Sequence, residues 1–470
     1  MRHRTGDKFP PMYRLKYHAA ALALLFLSLS CPACGKEGGT EPSGPEPPVQ
    51  PEIPGEPEQP ERLVVEIADP GFEQEVDFTS GAWKKTHAWQ TDRAVFSYEP
   101  TGGYNGSAGI RIACVDGDYT TDAVVTQPVS GLVPGKLYEL SAMVRTSGVT
   151  GGRGGNICLF GQGVWVGSPP FVGTNGWTRR SVQFIAEETT AVIGCRLGFW
   201  AGDSRGSVWF DDVALRTPDG MYHRASEHLE LYLDKALVRV SDAVIDGWLA
   251  KLDKVYDAYT ELFDFFVPFG GRKMIVLSKQ IDAWAYAGYP IEWNRDYVAS
   301  TLDEVVRYDN AVFGIMHEMG HNFAPGNYVT GSYGSGNGDW NWNEELFANF
   351  RMYYALCRTG YKVYMNNTVY TGAQIADMYR KSYEETLARG IASDGDGLMY
   401  VMTRMADTEG WEPFRKAFRE LYGLDPAVSC GATKWEKIDY FFSVVSRYAA
   451  KDLLETYFTP AQIAALKTLK

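Results

Sequence analysis

The sequence has 470 residues and a formal net charge of −13, with 22% charged and 14% aromatic residues. This composition is that of a well-packed globular protein, and the length predicts two domains. The acidic chain shows no basic face that could neutralise phosphates, so we expect no nucleic-acid partner.

The first 31 residues have the features of an export signal. Arg14 and Lys16 precede an apolar run at residues 19–31, which is too short to span a bilayer as a helix and ends in small residues. The run closes on LSLSCPAC, which resembles a relaxed bacterial lipobox with Cys31 as the lipidated residue and Cys34 as the alternative acceptor. The resemblance implies an exported bacterial lipoprotein, anchored by lipid at the outer membrane or cell surface.

Residues 32–62 are rich in Pro, Glu and Gly. Such a segment cannot bury a core, and it predicts an extended linker. The Cys residues beyond Cys31 are widely scattered and form no CxxC ladder, so we expect buried free thiols.

Short alternating stretches separated by Gly, Pro, Asn and Asp fill residues 63–217, among them KLYELSAMVRT, TRRSVQFIA and SVWFDDVAL. Several strands at regular spacing with turn signals between them predict an all-β sandwich, and a jelly roll is the specific expectation.

Four strings in this segment, DPGFEQ, LVPGKLYELSAMVRT, GWTRRSVQF and VWFDDVAL, together resemble carbohydrate-binding modules built on the galactose-binding-like jelly roll. The resemblance implies glycan binding and a structural Ca²⁺ held by Glu73 and Asp212, whose oxygen ligands suit this ion. Exposed aromatic rings are the usual sugar platforms, although any single Trp is more often a core or rim residue. The candidates are Trp83, Trp89, Trp165, Trp177 and Trp200.

Residues 218–470 form the second predicted domain. Apolar residues at three- and four-residue spacing predict helix over most of 225–266, and a strand, KMIVLS, follows. After residue 345 the pattern is again helical nearly to Lys470. We expect a mainly helical α+β domain with a small sheet beside the site.

The string HEMGH at residues 317–321 carries the chemistry. On a helix His317 and His321 lie at i and i+4, where both imidazoles can bind one Zn²⁺, with Glu318 beside them as general base. The preceding AVFGIM is apolar at helical spacing, and Pro325 with Gly326 are stop signals. The motif therefore predicts metal-assisted hydrolysis from a short buried helix, with Gly320 allowing close approach of neighbouring backbone.

The third ligand must be a carboxylate, because none of the seven His follows His321. Glu344 and Glu345 compete for this role in WNWNEELFANF, residues 340–350, where Asn341 or Asn343 can cap a helix. Otherwise Glu344 is expected to be a solvated acid in the first helical turn. Asn349, one turn after Glu345, could orient a ligand.

The same segment resembles the second helix of gluzincin metallopeptidases, W-x-x-E-x-F-A, which Trp342, Glu345, Phe347 and Ala348 match. The resemblance implies that Glu345 is the third ligand.

A Gly-Tyr-Pro segment, AWAYAGYPI at 283–291, precedes the His motif. This order resembles the enhancin-like and mucin-degrading gluzincins, peptidase family M-sixty, over roughly residues 225–425. The resemblance implies a zinc endopeptidase of glycoproteins, often mucin-like ones, in which Glu318 activates a zinc-bound water. Tyr400 is a first guess for an oxyanion donor. The alternative is a surface glycan-binding lipoprotein whose peptidase domain is inactive.

Overall fold

The computed structural model describes residues 63–89, 93–161, 166–199, 202–324, 339–425 and 427–470, with the backbone alone at 86–89. The predicted signal, Cys31 and the linker lie outside these residues. No helix in the described ranges is long and apolar enough to cross a membrane.

The first half of the described chain is all β. Its strands are β1 Val64–Val65, β2 Lys84–Trp89, β3 Val95–Glu99, β4 Gly109–Cys114, β5 Asp122–Ser130, β6 Leu137–Thr150, β7 Gly155–Phe160, β8 Val166–Gly167, β9 Gly173–Ile185, β10 Thr190–Leu197 and β11 Arg205–Arg216. One sheet has the order β3-β4-β11-β6-β9, with β1 paired to β11, and the other has the order β2-β5-β10-β7-β8. All the pairings between these strands are antiparallel.

Alternation along the strands builds one core between the two sheets. Ile110 and Ile112 of β4 are buried, whereas Arg111 between them is partly exposed on the outer face. Val125 and Ile193 enter the same core from the other sheet. The predicted two-sheet sandwich is therefore confirmed.

The second half begins with β12 Met221–Ala225, β13 Leu229–Asp234, α1 Asp242–Leu262, β14 Met274–Lys279, β15 Ala285–Tyr286, β16 Ile291–Asn294, α2 Arg295–Tyr308 and α3 Phe313–Asn322. It continues with α4 Glu344–Thr359, β17 Lys362–Met365, β18 Thr368–Thr371, α5 Gly372–Glu385, α6 Asp396–Glu409, α7 Glu412–Tyr422, α8 Lys434–Ala449, α9 Leu453–Tyr457 and α10 Pro460–Leu466. A five-stranded sheet, β12-β13-β14-β16-β15, lies in this mainly helical part. Its strands β13, β14 and β16 run parallel.

The helical prediction was wrong for its first residues, because 229–234 form a strand. LELYLD pairs with β12 on one side and with β14 on the other, and Leu229–Leu233 are buried on both faces. A strand covered on both faces is nearly continuously apolar, so its spacing also fits a helix. The helix itself starts at Asp242, and Trp248, Leu252 and Tyr259 lie on its buried face.

A small apolar cluster joins the sandwich to the second half. Leu137 and Ile185 of the sandwich pack with Tyr232, Ile275 and Leu277 of the parallel strands. Beside this junction the ammonium of Lys136 lies 2.8 Å from the carboxylate of Glu230. Sandwich and helical part therefore share a buried boundary.

Candidate metal centre

Helix α3 carries the HEMGH motif and is held by its neighbours on several sides. Ile315, Met316 and Met319 are fully buried, and the Tyr259 hydroxyl of α1 donates to the carbonyl of Met316 at 2.7 Å. A Cβ on Gly320 would lie 3.0 Å from the carbonyl oxygen of Ala348 in α4. The expected close approach of backbone at Gly320 is thus present, and it brings α4 against the His helix.

The Gly-Tyr-Pro segment is tied to the end of α3. Buried Asn322 accepts from the amide of Gly288 at 2.9 Å and donates to its carbonyl at 3.1 Å. The next ring, Tyr289, packs on Phe269 and contacts the apolar junction with the sandwich. A continuous path of contacts therefore runs from the sandwich to the His helix.

Helix α4 starts where the sequence indicated. Asn343 is its N-cap, and the side chain accepts from the amide of Leu346 at 3.3 Å. Asn341 supports this turn by accepting from the amide of Asn343 at 2.9 Å. Trp342 and Phe347 pack in the core behind the helix, with ring centroids 4.8 Å apart. This packing places the first turn of α4 beside α3.

Three side chains converge between these helices. The Nε2 atoms of His317 and His321 lie 3.0 Å apart, and Oε2 of Glu345 lies 3.0 Å from the first and 3.5 Å from the second. Ligand atoms bound tetrahedrally to zinc at 2.0–2.1 Å are about 3.3 Å apart. The donor set and its spacing therefore fit Zn²⁺, and among the described residues this is the group of three metal-binding side chains that the structure brings together.

The opposite nitrogen of each imidazole is held by an acceptor. Nδ1 of His317 lies 2.9 Å from the amide oxygen of Asn349, and Nδ1 of His321 lies 3.5 Å from a carboxylate oxygen of Glu344. Because these oxygens accept, each ring carries a proton on Nδ1, and its Nε2, once deprotonated, can bind a metal ion at the shared position. Asn349 thus occupies the orienting position that its spacing predicted.

Glu344 differs from its expected place as a solvated first-turn acid. Its side chain is fully buried in an ion pair with buried Arg351, which also donates to the carbonyl of Gly320 at 3.1 Å and to the Tyr422 hydroxyl at 2.8 Å. Burial alone would raise the pKa of Glu344, but the charge of Arg351 and the contact with His321 lower it. Glu344 therefore supports His321 from behind, while Glu345 faces the shared position.

The electrostatics of the cluster favour an imidazolium at His321 and a carboxylate at Glu345. Burial opposes a charged His321, yet the carboxylates of Glu344 and Glu345 raise its pKa to about 9. Burial likewise raises the pKa of Glu345, and the two imidazoles outweigh it and hold that pKa well below its ordinary range. The Glu345 side chain is still 69% exposed, against 3% for His321, so the cluster opens to solvent on the Glu345 side.

Glu318 lies on α3 between the two His and is partly exposed. The nearby exposed Tyr286 of β15 donates to Asp282 at 2.7 Å, and this hydrogen bond, with burial and the charges of Asp282, Glu292 and Glu318, raises its pKa. Sequence reasoning did not select Tyr286, although it lies in AWAYAGYPI. Tyr400, the first guess, instead packs on Tyr383 at 5.0 Å between ring centroids.

Glu73 and Asp212, the residues suggested for calcium, form no hydrogen bond or ion pair with each other. Asp212 is ion-paired with Arg179, and its side chain is 55% exposed. The preceding Asp211 is buried and accepts from the amide of Tyr104 at 2.7 Å, and a Cβ on Gly71 would lie 3.8 Å from its Oδ1. The calcium site stays a prediction.

The tryptophans predicted as sugar platforms differ in how exposed they are. Trp83 is buried in the core and donates to the carbonyls of Ala68 and Asp69, each at 3.1 Å, so it is no platform. Trp177 is partly exposed on the outer face of the sandwich. The Trp89 side chain, Trp165 and Trp200 lie outside the described residues, as do Pro325 and Gly326.

The cysteines in the described ranges are free thiols. Cys114, Cys158, Cys195 and Cys430 are buried, as expected, while Cys357 is exposed.

No protein-family model matches the chain, and no curated protein does. Among solved structures, a metallopeptidase from Bacteroides thetaiotaomicron is similar at 12% identity and TM-score 0.36, over 70% of this chain and 63% of that one. TmCBM61 in complex with beta-1,4-galactotriose is similar at 18% identity and TM-score 0.22, over 31% of this chain and 93% of that one. The enzymatically active domain of a bacteriophage CBA120 tailspike is similar at 13% identity and TM-score 0.25, over 32% of this chain, which spans only 21% of that one. These scores are too low to support a function.

Proposed function

We propose that the chain is a zinc-dependent endopeptidase of glycoproteins, with mucin-like proteins as substrates. The observation that carries the proposal is the convergence of two imidazole nitrogens and one carboxylate oxygen at 3.0–3.5 Å. Both Nδ1 atoms are already held by acceptors, so the three ligands are oriented for a metal ion. Three protein ligands and an open side are the arrangement of catalytic zinc sites, whereas structural sites are closed by four.

A zinc ion bound there would supply a Lewis acid that polarises the scissile carbonyl and makes water more acidic. Glu318 takes the proton from the attacking water and delivers it to the leaving amine. Asn349 and Glu344 keep the imidazoles in place, and Arg351 holds Glu344 as a carboxylate. Tyr286 is our candidate for the hydrogen-bond donor to the developing oxyanion, since it is exposed and near Glu318. In this role its hydroxyl would exchange the hydrogen bond to Asp282 for one to the oxyanion.

The rest of the architecture supports a glycoprotein substrate. We propose that the sandwich is a galactose-binding-like jelly roll that binds glycan, and that the helical part is a gluzincin domain related to peptidase family M-sixty. We further propose that Cys31 anchors the protein at the outer membrane or cell surface, with residues 32–62 as the tether. A protein so displayed would meet glycoproteins outside the cell.

The decisive test is Glu318→Ala. We expect cleavage of a mucin-type glycoprotein to fall by about 10²-fold or more, because proton transfer is lost. Zinc content should stay at one ion per chain, since Glu318 is not a ligand. Glu304→Ala on α2, outside the motif and the proposed ligand set, is the control and should cleave normally.

Two outcomes would contradict the proposal. Unchanged cleavage by Glu318→Ala would remove the assigned base, and absence of stoichiometric zinc in the wild-type protein would favour the inactive glycan-binding alternative. The dependence on glycan is measured separately, by mapping cut sites in one protein before and after deglycosylation.

A further inference from the structure

Arginine and tryptophan side chains alternate in a row across the outer face of the larger sandwich sheet. Trp209 of β11 is the direct cross-strand partner of Arg111 on β4 and of Arg145 on β6. The guanidinium carbons lie 5.2 and 4.2 Å from the Trp209 ring centroid. Arg145 also lies 5.3 Å from the ring centroid of Trp177 on β9. The four residues, Arg111, Trp209, Arg145 and Trp177, are named here the outer row.

The outer row presents positive charge without a matching carboxylate. Within the described ranges neither Arg111 nor Arg145 forms an ion pair, although the whole chain is strongly acidic. The neighbouring Asp212 is taken up by Arg179, and buried Asp211 accepts from Tyr104 and Ser107. The two acids that follow Trp209 on β11 are therefore already engaged.

Contact with the rings and burial of the Nε atoms restrict how the guanidinium groups face solvent. The Nε atoms of Arg111 and Arg145 are buried and have no hydrogen-bond partner, so the outward edges of both groups are their terminal nitrogens. Arg111 is further held by donating to the Ser207 hydroxyl at 2.9 Å. A planar guanidinium held beside an aromatic ring loses little freedom when it binds a carboxylate or sulfate in a bidentate manner.

The placement of the two charges suits a ligand with more than one anionic group. Arg111 and Arg145 are on strands separated by one strand, so their Cα atoms lie about 10 Å apart. Their guanidinium carbons lie 5.2 and 4.2 Å from the same ring centroid, so these two charges are closer together than the Cα atoms. A chain with repeated acidic units can place one anion on each group. All four residues are partly exposed, so such a chain could lie along the row.

We propose that the outer row binds an acidic glycan, one that carries carboxylate or sulfate groups on successive sugars. The proposal deepens the glycan-binding part of the proposed function and does not depend on the peptidase. Charge complementarity carries it, since two unpaired and preoriented guanidinium groups face outward from an otherwise acidic protein.

Titration calorimetry of the full chain tests the proposal with three oligosaccharides of equal length. Chondroitin sulfate carries both sulfate and carboxylate, hyaluronan carries carboxylate only, and a chitin oligosaccharide is neutral. We expect the acidic ligands to bind at least about tenfold more tightly than the neutral one, and their affinity to fall as salt rises. Binding of both acidic ligands would identify the carboxylate as sufficient, and binding of chondroitin sulfate alone would identify the sulfate.

Arg111→Met and Arg145→Met should each weaken the acidic ligand about tenfold, the usual effect of losing a charged hydrogen-bonding pair. Arg145→Lys keeps the charge but not the bidentate edge, and should weaken binding as well. The control is Arg180→Met, because Arg180 also lies over an aromatic ring, Phe171, but outside the outer row. Thermal melting of each variant checks that the sandwich still folds.

Equal affinity for neutral and acidic ligands, or acidic binding that survives both Arg→Met substitutions, would overturn the inference. Equal affinity for a poly-glutamate peptide would overturn it too, because the surface would then bind anions in general. Cleavage of a glycoprotein is a separate measurement, so a failure of the outer row leaves the peptidase proposal standing and the reverse also holds.

Discussion

At the scale of single residues, the pair Glu344–Arg351 is the most consequential feature that spacing did not reveal. Both side chains are fully buried, and the pair connects the imidazole of His321 with the carbonyl of Gly320 and the hydroxyl of Tyr422. A buried ion pair adds little net stability compared with apolar packing, but losing one partner leaves an uncompensated charge. The pair is therefore best understood as a support for His321.

Arg351→Met should destabilise the protein by about 3–5 kcal/mol, because Glu344 would remain buried without its counter-charge. Arg358→Met, on the same helix, removes only an exposed pair with Glu261 and should cost about 1 kcal/mol or less. Urea unfolding of both variants in the presence of a chelator measures the difference. Equal losses in the free energy of unfolding would mean that the buried pair contributes no more to stability than the exposed one.

The residues of the centre show where sequence reasoning succeeds and where it stops. Helical spacing selected His317, His321 and Asn349, whereas the choice of Glu345 over Glu344 came from the resemblance to gluzincins. The structure brings His317, His321 and Glu345 together and places Asn349 behind His317. Glu344 was misjudged, since its burial depends on Arg351, two turns further along α4, and on Tyr422 of α7, three helices later in the chain. Local pattern carries no information on such a distant partner.

At the scale of elements, the contact between α3 and α4 depends on Gly320. The helices approach so closely that any side chain at 320 would press on the carbonyl of Ala348. The ligands come from both helices, so their separation sets the distance between the His pair and Glu345. The helix contact is thus part of the metal site.

Gly320→Ala should lower stability by about 1–2 kcal/mol through overpacking and should weaken zinc binding, as α4 moves away. Gly247→Ala in α1 is the matched control, because nothing lies within 4 Å of its added Cβ. That change should stabilise the protein by about 0.5–1 kcal/mol through helix propensity. Thermal melting and a competitive zinc titration measure both effects, and a stabilised Gly320→Ala with unchanged zinc affinity would contradict this account.

The strand at Leu229–Asp234 shows the corresponding limit for elements. Its residues fit a helical pattern as well as a buried strand. The strand forms because it pairs with β12 on one side and β14 on the other. The sandwich strands were predicted more easily because Gly, Pro, Asn and Asp separate short stretches of strand-forming residues, even though β5, β7 and β10 are buried on both faces over most of their length.

At the scale of the whole molecule, Glu230 lies where sandwich and helical part meet. Burial would raise its pKa, but His223, Lys136 and Tyr232 together lower it to about 2. A carboxyl whose pKa is lower in the folded than in the unfolded state adds stability above the unfolded value, near 4.5, and loses that contribution as the pH falls towards 2.

Glu230→Gln should therefore lower stability by up to about 3 kcal/mol at pH 7, and the difference from wild type should shrink steadily from about pH 4.5 to pH 3. Glu187→Gln, at the more exposed pair with Arg272, is the control and should change stability by about 1 kcal/mol or less. Calorimetric melting across this pH range gives the comparison. A difference that does not depend on pH would show that the Glu230 charge is not what stabilises the junction.

The path from the apolar junction through Tyr289 and Gly288 to Asn322 also has an evolutionary consequence. A recombination breakpoint near residue 218 would separate Leu137 and Ile185 from Tyr232, Ile275 and Leu277, and would uncover the segment that anchors the His helix. We expect a new partner domain to need a matching surface at the same place. Sandwich and helical part would therefore be inherited together, as one unit of descent rather than as interchangeable modules.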